Sequence, residues 1–157
     1  LGPQNRDMTR QKLSEAERNY RAAEELQQRL VRRFPESLSY HLWLARYRRS
    51  LGVVLQLQFR WEEAGEELTV AIQEAKQVRS EQQDSDPWHL TLSSLHRELS
   101  IVYRQLGEDE RELAHVLDAR EHLSQVRDIS LRDLLRFDEN PPNRQGNGPP
   151  PRRPPPD

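Results

Sequence analysis

Five histidines, at positions 41, 89, 96, 115 and 122, are the residues whose chemistry is easiest to picture. Imidazole ligates first-row transition ions and moves protons near neutral pH. His89 and His96 are seven residues apart, as are His115 and His122. Seven residues of helix rise about 10.5 Å. One ion with nitrogen ligands at about 2 Å does not bridge that. A metal site would need i, i+3 or i+4 spacing, or convergence between two helices. The expectation is no metal and no cofactor, with the histidines packed on or between helices. Cysteine is absent, which excludes disulfides, thiolate metal sites and a cysteine nucleophile.

The carboxylates point no further towards catalysis. "WEEAGEEL" and "GEDEREL" place acids in first helical turns, where negative charge suits the helix dipole. No glycine-rich phosphate loop, nucleophile elbow or acid pair in an apolar setting stands in the sequence. A non-enzymatic role is expected. The net charge of −2, from 24 basic and 26 acidic residues, argues against a nucleic-acid partner. No apolar run reaches the roughly 20 residues that span a bilayer, so no membrane insertion is expected, and no signal peptide is visible. The first residue is Leu1 rather than methionine, and the chain is expected to be part of a longer one.

The elements that must position these side chains are helical. From Thr9 to Phe34, Leu13, Ala16, Tyr20, Ala23, Leu26 and Leu30 recur in steps of three and four, the period of one helix face. Pro35 ends that helix. A second helix runs from Ser37 or Ser39 to Leu57, with Leu44, Tyr47, Leu51, Val54 and Leu55 as its stripe. A third begins at Arg60 and carries Ala64, Leu68, Ala71, Ile72, Ala75 and Val78. Asp86–Pro87 opens a fourth, Gly107 suits its left-handed end, and a fifth covers Glu108 to Val126. A short sixth helix, Ser130 to Phe137, has capping-box spacing and the LxxLL form at 131–135, and reads as a C-terminal cap. Residues 1–8 read as a flexible lead-in, 9–137 as the helical domain and 138–157 as a disordered Pro-rich tail. "PPPRRPPP" in that tail tends to polyproline II.

The chain also repeats itself. "YHLWLARYRRSLGVVLQ" from Tyr40 aligns with "WHLTLSSLHRELSIVYR" from Trp88, an offset of 88 − 40 = 48. The same offset takes Ala16, Tyr20 and Ala23 to Ala64, Leu68 and Ala71, and then to Glu112, Val116 and Ala119. Small, large, small on one helix face lets a neighbouring backbone come close while the large residue fills the gap. Leu51–Gly52 and Leu99–Ser100 pair large with small on the alternate helices.

On these residues the chain resembles the tetratricopeptide repeat family over about 12–126. Leu51, Gly52, Leu55, Ala64, Leu68 and Ala71 fill one repeat. Leu99, Ser100, Tyr103, Gly107, Val116 and Ala119 fill most of a second. Ala16, Tyr20 and Ala23 are the second half of another. Glu112 and Phe59 depart from the pattern, where a small residue and a turn glycine are expected. The long period is similar to that of tetratricopeptide regions in planctomycete bacterial proteins, where such regions are appended to kinases or other regulatory modules. The resemblance implies an all-α fold: antiparallel helix pairs stacked as a short solenoid, about five long helices plus the cap. The unpaired first helix then leaves an apolar flank at Leu26 and Leu30.

The resemblance also implies that the first helix of each pair lines a concave face. Carried over, those positions are Arg46, Arg49, Val53, Gln56 and Leu57, then Ser94, Arg97, Ile101, Arg104 and Gln105. Four are arginine and none is acidic. Guanidinium groups fork onto carboxylates. The expected role is a protein–protein interaction scaffold gripping an acidic peptide segment, with Val53, Leu57 and Ile101 as apolar contacts. The alternative is a regulatory or sensor segment of a larger bacterial signalling protein, whose helices transmit rather than bind.

Overall fold

A computed structural model describes residues 3–128 and Ser130. Five α-helices follow in order: α1 (Pro3–Arg33), α2 (Leu38–Leu57), α3 (Trp61–Ala75), α4 (Asp86–Leu106) and α5 (Asp109–Ser124). A single 3-10 turn, Ser80–Gln82, lies between α3 and α4, and no strand occurs among the described residues. The expected lead-in at 3–8 is instead helical. Pro3 supplies the fixed φ of a first helical position, and nothing in Gln4–Met8 breaks the run. The expected cap beyond Ser130 and the Pro-rich tail lie outside the described residues.

Sequence chemistry sets the helix ends. The Ser37 hydroxyl accepts the backbone N–H of Tyr40 and caps α2. Pro87 sits in the first turn of α4, and Gly107 ends that helix at φ +73°, a left-handed conformation. Forty-eight residues earlier, the equivalent turn after α2 holds Phe59 at φ +61°. A bulky residue pays about 1 kcal/mol or more there. Phe59 is also exposed, so little packing offsets that strain. Phe59→Gly should stabilise the fold by about 1 kcal/mol, read as a higher urea midpoint with an unchanged slope.

Side-chain pairings give the arrangement. His41 meets Glu74 and His89 meets His122, each pair 33 residues apart. Arg48 meets Glu67, and His96 meets His115 nineteen residues apart. Within each couple one partner advances as the other retreats, so α2/α3 and α4/α5 are antiparallel pairs. Between repeats the order is parallel: Glu17 and Arg21 of α1 reach Arg60 and Glu67 at the start and middle of α3. The result is an all-α, solenoid-like stack of helix pairs.

The repeated positions form the core. Leu51, Ala64, Leu68, Ala71 and Leu99 are buried, with Leu42, Leu55, Leu92, Leu95 and Val102. Gly52 is buried as well, and Tyr20 and Tyr103 pack half-buried against this cluster. α3 ends at Ala75, three residues short of Val78, yet Val78 is buried and the Trp88 indole donates to the Ala75 carbonyl at 2.7 Å. Ala16, Ala23 and Ala119 are only half-buried, because they lie on the first and last described helices and have a neighbour on one side. Leu26 and Leu30 of α1 are exposed, as are Leu113 and Leu117 of α5.

Candidate functional site

The sequence-predicted binding residues lie on α2 and α4, and a carboxylate links the two helices. Glu98 is buried on α4. It accepts hydrogen bonds from Arg49 at 3.1 Å, Arg97 at 2.9 Å and Gln56 at 3.4 Å. Burial alone would raise its pKa, but the Arg97 and Arg49 guanidiniums outweigh that and hold it below the ordinary glutamate value. The expectation of a face without acids is therefore corrected. One step along α4 from Arg97, Glu98 turns inward and ties two of the four arginines to the fold. Arg104 leans across to Glu112 of α5 at 2.6 Å, so a third arginine braces the helix pair.

Arg46 is different. No carboxylate pairs with it among the described residues, and its guanidinium lies 5.1 Å over the Trp43 ring. The Tyr47 ring stands 6.0 Å beyond. Trp43 is 48% exposed and Leu57, on the same helix, 58%. Val53, Ser94 and Ile101 are half-buried, and Gln105 is exposed. Sequence reasoning missed Trp43. The available signal was its position between Leu42 and Leu44, both buried, which turns a large aromatic outward.

A second polar set lies between paired helices. In the α2/α3 pair it is built from bases and acids. His41 Nδ1 is 2.5 Å from Glu74, and its Nε2 donates to the Pro35 carbonyl at 2.8 Å, fastening the α1–α2 turn onto α3. Arg48 bridges Glu24 of α1 at 2.8 Å and Glu67 of α3 at 3.9 Å.

Forty-eight residues after His41, Arg48, Glu67 and Glu74, the four positions between the paired helices α2 and α3, stand His89, His96, His115 and His122. His89 Nδ1 faces His122 Nδ1 at 3.0 Å, and His96 Nδ1 faces His115 Nδ1 at 2.8 Å. The spacing of seven that rules out a site on one helix thus brings four imidazoles together across two. Trp88 closes one end, edge-on to His89 and His122. Tyr103 stacks on His115 at the other, with ring centroids 5.3 Å apart. Asp118, three residues after His115, places a carboxylate oxygen 3.4 Å from His96 Nδ1. Burial drives the His96 pKa down to about 4. Asp118 opposes that shift, and His115, His122 and Lys76 reinforce it. His115 and His122 are lowered too, again chiefly by burial.

No helix among the described residues is long and apolar enough to cross a membrane. No protein-family model, no curated protein and no solved structure matches the chain.

Proposed function

We propose that the protein is a non-enzymatic, tetratricopeptide-like interaction scaffold whose α2–α4 face binds an acidic peptide segment of a protein partner. Trp43 carries the reading. A large aromatic held outward on a well-packed helix, beneath an arginine that has no carboxylate partner among the described residues, is the composition of an interface anchor rather than of a solvated face. A peptide carboxylate would bond Arg46 while neighbouring apolar side chains cover Trp43, Leu57 and Val53. Arg49 keeps about a third of its side-chain surface exposed, at 34%, so Glu98 leaves it donors to spare. Set against Glu98, Arg46 and Arg49 leave the face positive, matched to an acidic ligand.

The test uses arrayed peptides graded in acidic content, followed by titration of the best binder. Acidic peptides should bind better than neutral scrambles, and more weakly as salt rises. Trp43→Ala and Arg46→Glu should each cost about tenfold or more in affinity. If acidic and scrambled peptides bind alike, or both variants keep wild-type affinity, this face is not the site. Reversing Arg49 and Arg97 is a poorer test. It would set two more carboxylates against buried Glu98, so folding and binding would fall together.

A further inference from the structure

We propose that His96, His115 and Asp118 form a binding site for one divalent transition-metal ion of the zinc type, clamping α5 onto α4. The three candidate ligand atoms all lie within 4.8 Å of one another. Their separations are 2.8 Å between the two Nδ1 atoms, and 3.4 and 3.9 Å from these to the Asp118 oxygen. A tetrahedral ion with bonds of about 2.0–2.1 Å holds its ligand atoms about 3.3–3.4 Å apart. The observed distances straddle that value, so side-chain adjustments of about half an ångström would complete the geometry. His115 and Asp118 have the i, i+3 spacing that puts two ligands on one helix face, and His96 comes from the opposing helix.

The chain contains its own comparison. Positions equivalent to His96, His115 and Asp118 in the first pair are Arg48, Glu67 and Val70. There a base and an acid neutralise each other. In the second pair both bases are imidazoles, which cannot form an ion pair, and a carboxylate appears where the first pair has valine. Two imidazoles and a carboxylate suit a borderline-soft divalent ion. The charged groups facing the cluster are Asp118 itself, Lys76 at the end of α3 and, beside His115, Arg111 of α5. One carboxylate and two neutral imidazoles leave a bound dication at +1, with Lys76 and Arg111 the opposing charges. The Asp118 side chain is half exposed, so the ion can enter from solvent and water can complete its coordination. Without metal, the short Nδ1–Nδ1 contact is a hydrogen bond that one imidazole donates to the other.

The full chain, stripped with a chelator and dialysed at pH 7.5, is titrated with zinc chloride by calorimetry. One ion per chain should bind. At 100-fold excess over Kd the melting temperature should rise by about 5–10 °C. Cobalt loading should give the visible absorption of a four-coordinate site. Asp118→Asn and His115→Ala alter side chains that are not fully buried, so both should fold, as circular dichroism will verify. Each should weaken zinc binding at least about tenfold and bleach the cobalt spectrum. A chain without a one-to-one isotherm overturns the site. So does zinc binding that survives both substitutions at wild-type affinity.

Discussion

Truncating Leu68 to alanine should cost about 2–5 kcal/mol, the usual range for emptying a buried leucine site. Leu68 is fully buried on α3 and fills the space that Gly52 of α2 leaves open. A Cβ built on Gly52 would lie 2.9 Å from Leu68 Cγ and 3.0 Å from its Cδ2, closer than carbon atoms pack. Gly52→Ala therefore sets two effects against each other. Alanine gains about 1 kcal/mol of helix propensity over glycine. Overpacking costs about 1–3 kcal/mol, and Leu68 has nowhere to retreat because Leu51, Ala64 and Ala71 are buried around it. The clash should win, and the variant should lose about 1 kcal/mol. In the Leu68→Ala background the same substitution should become neutral or stabilising, since the clashing atoms are gone. Gly65 is the control. Its added Cβ would meet Val102 at 3.4 Å, an ordinary contact, so Gly65→Ala should gain up to about 1 kcal/mol. Urea melts of the five proteins check this. If Gly52→Ala is as stabilising as Gly65→Ala, the two helices are not in the contact described.

The same large–small pairing is legible in the sequence. The 48-residue offset singles out Leu51, Leu99, Ala64, Leu68 and Ala71, and all five are buried. Those positions are fixed by helix period and by repetition, both of which are local properties of the chain. Glu98 was not legible. It sits beside Leu99 as an ordinary helix acid, and its burial depends on Arg49, a partner 49 residues away on another repeat. Trp43 was hidden for a related reason: aromatic residues suggest core, and only the buried run around it shows which way it turns. The histidines are the instructive case. Taken one helix at a time, a spacing of seven excludes a shared site. Folding the repeat into antiparallel pairs converts that spacing into two inter-helix contacts, and the match of His41–Glu74 to His89–His122 was present in the numbering throughout.

That histidine ladder should make the metal-free protein labile to mild acid. His96 carries a folded-state pKa of about 4 against an ordinary 6.5. Its neutral form is favoured because the ring is buried and because His115, His122 and Lys76 lie close by, which together outweigh the opposing pull of Asp118. Between those two values the unfolded chain binds a proton that the folded chain refuses, so stability falls as pH falls. The contribution is present above about pH 6.5 and is lost progressively towards pH 4. A shift of this size is worth about 3 kcal/mol in full, and roughly 2 kcal/mol of it should vanish between pH 7 and pH 5. His115 and His122 are lowered in the same direction and add to the slope. Glu98, also lowered, contributes a separate loss that begins only below its ordinary carboxylate pKa of about 4.5. The two can be told apart by window. In the presence of chelator, the urea midpoint of the wild type should drop steeply from pH 7 to 5, and His96→Gln should flatten that drop. A wild-type midpoint that stays level across this range would mean that the imidazoles between α4 and α5 are not buried as neutral groups, and the packing of the last helix pair would have to be redrawn.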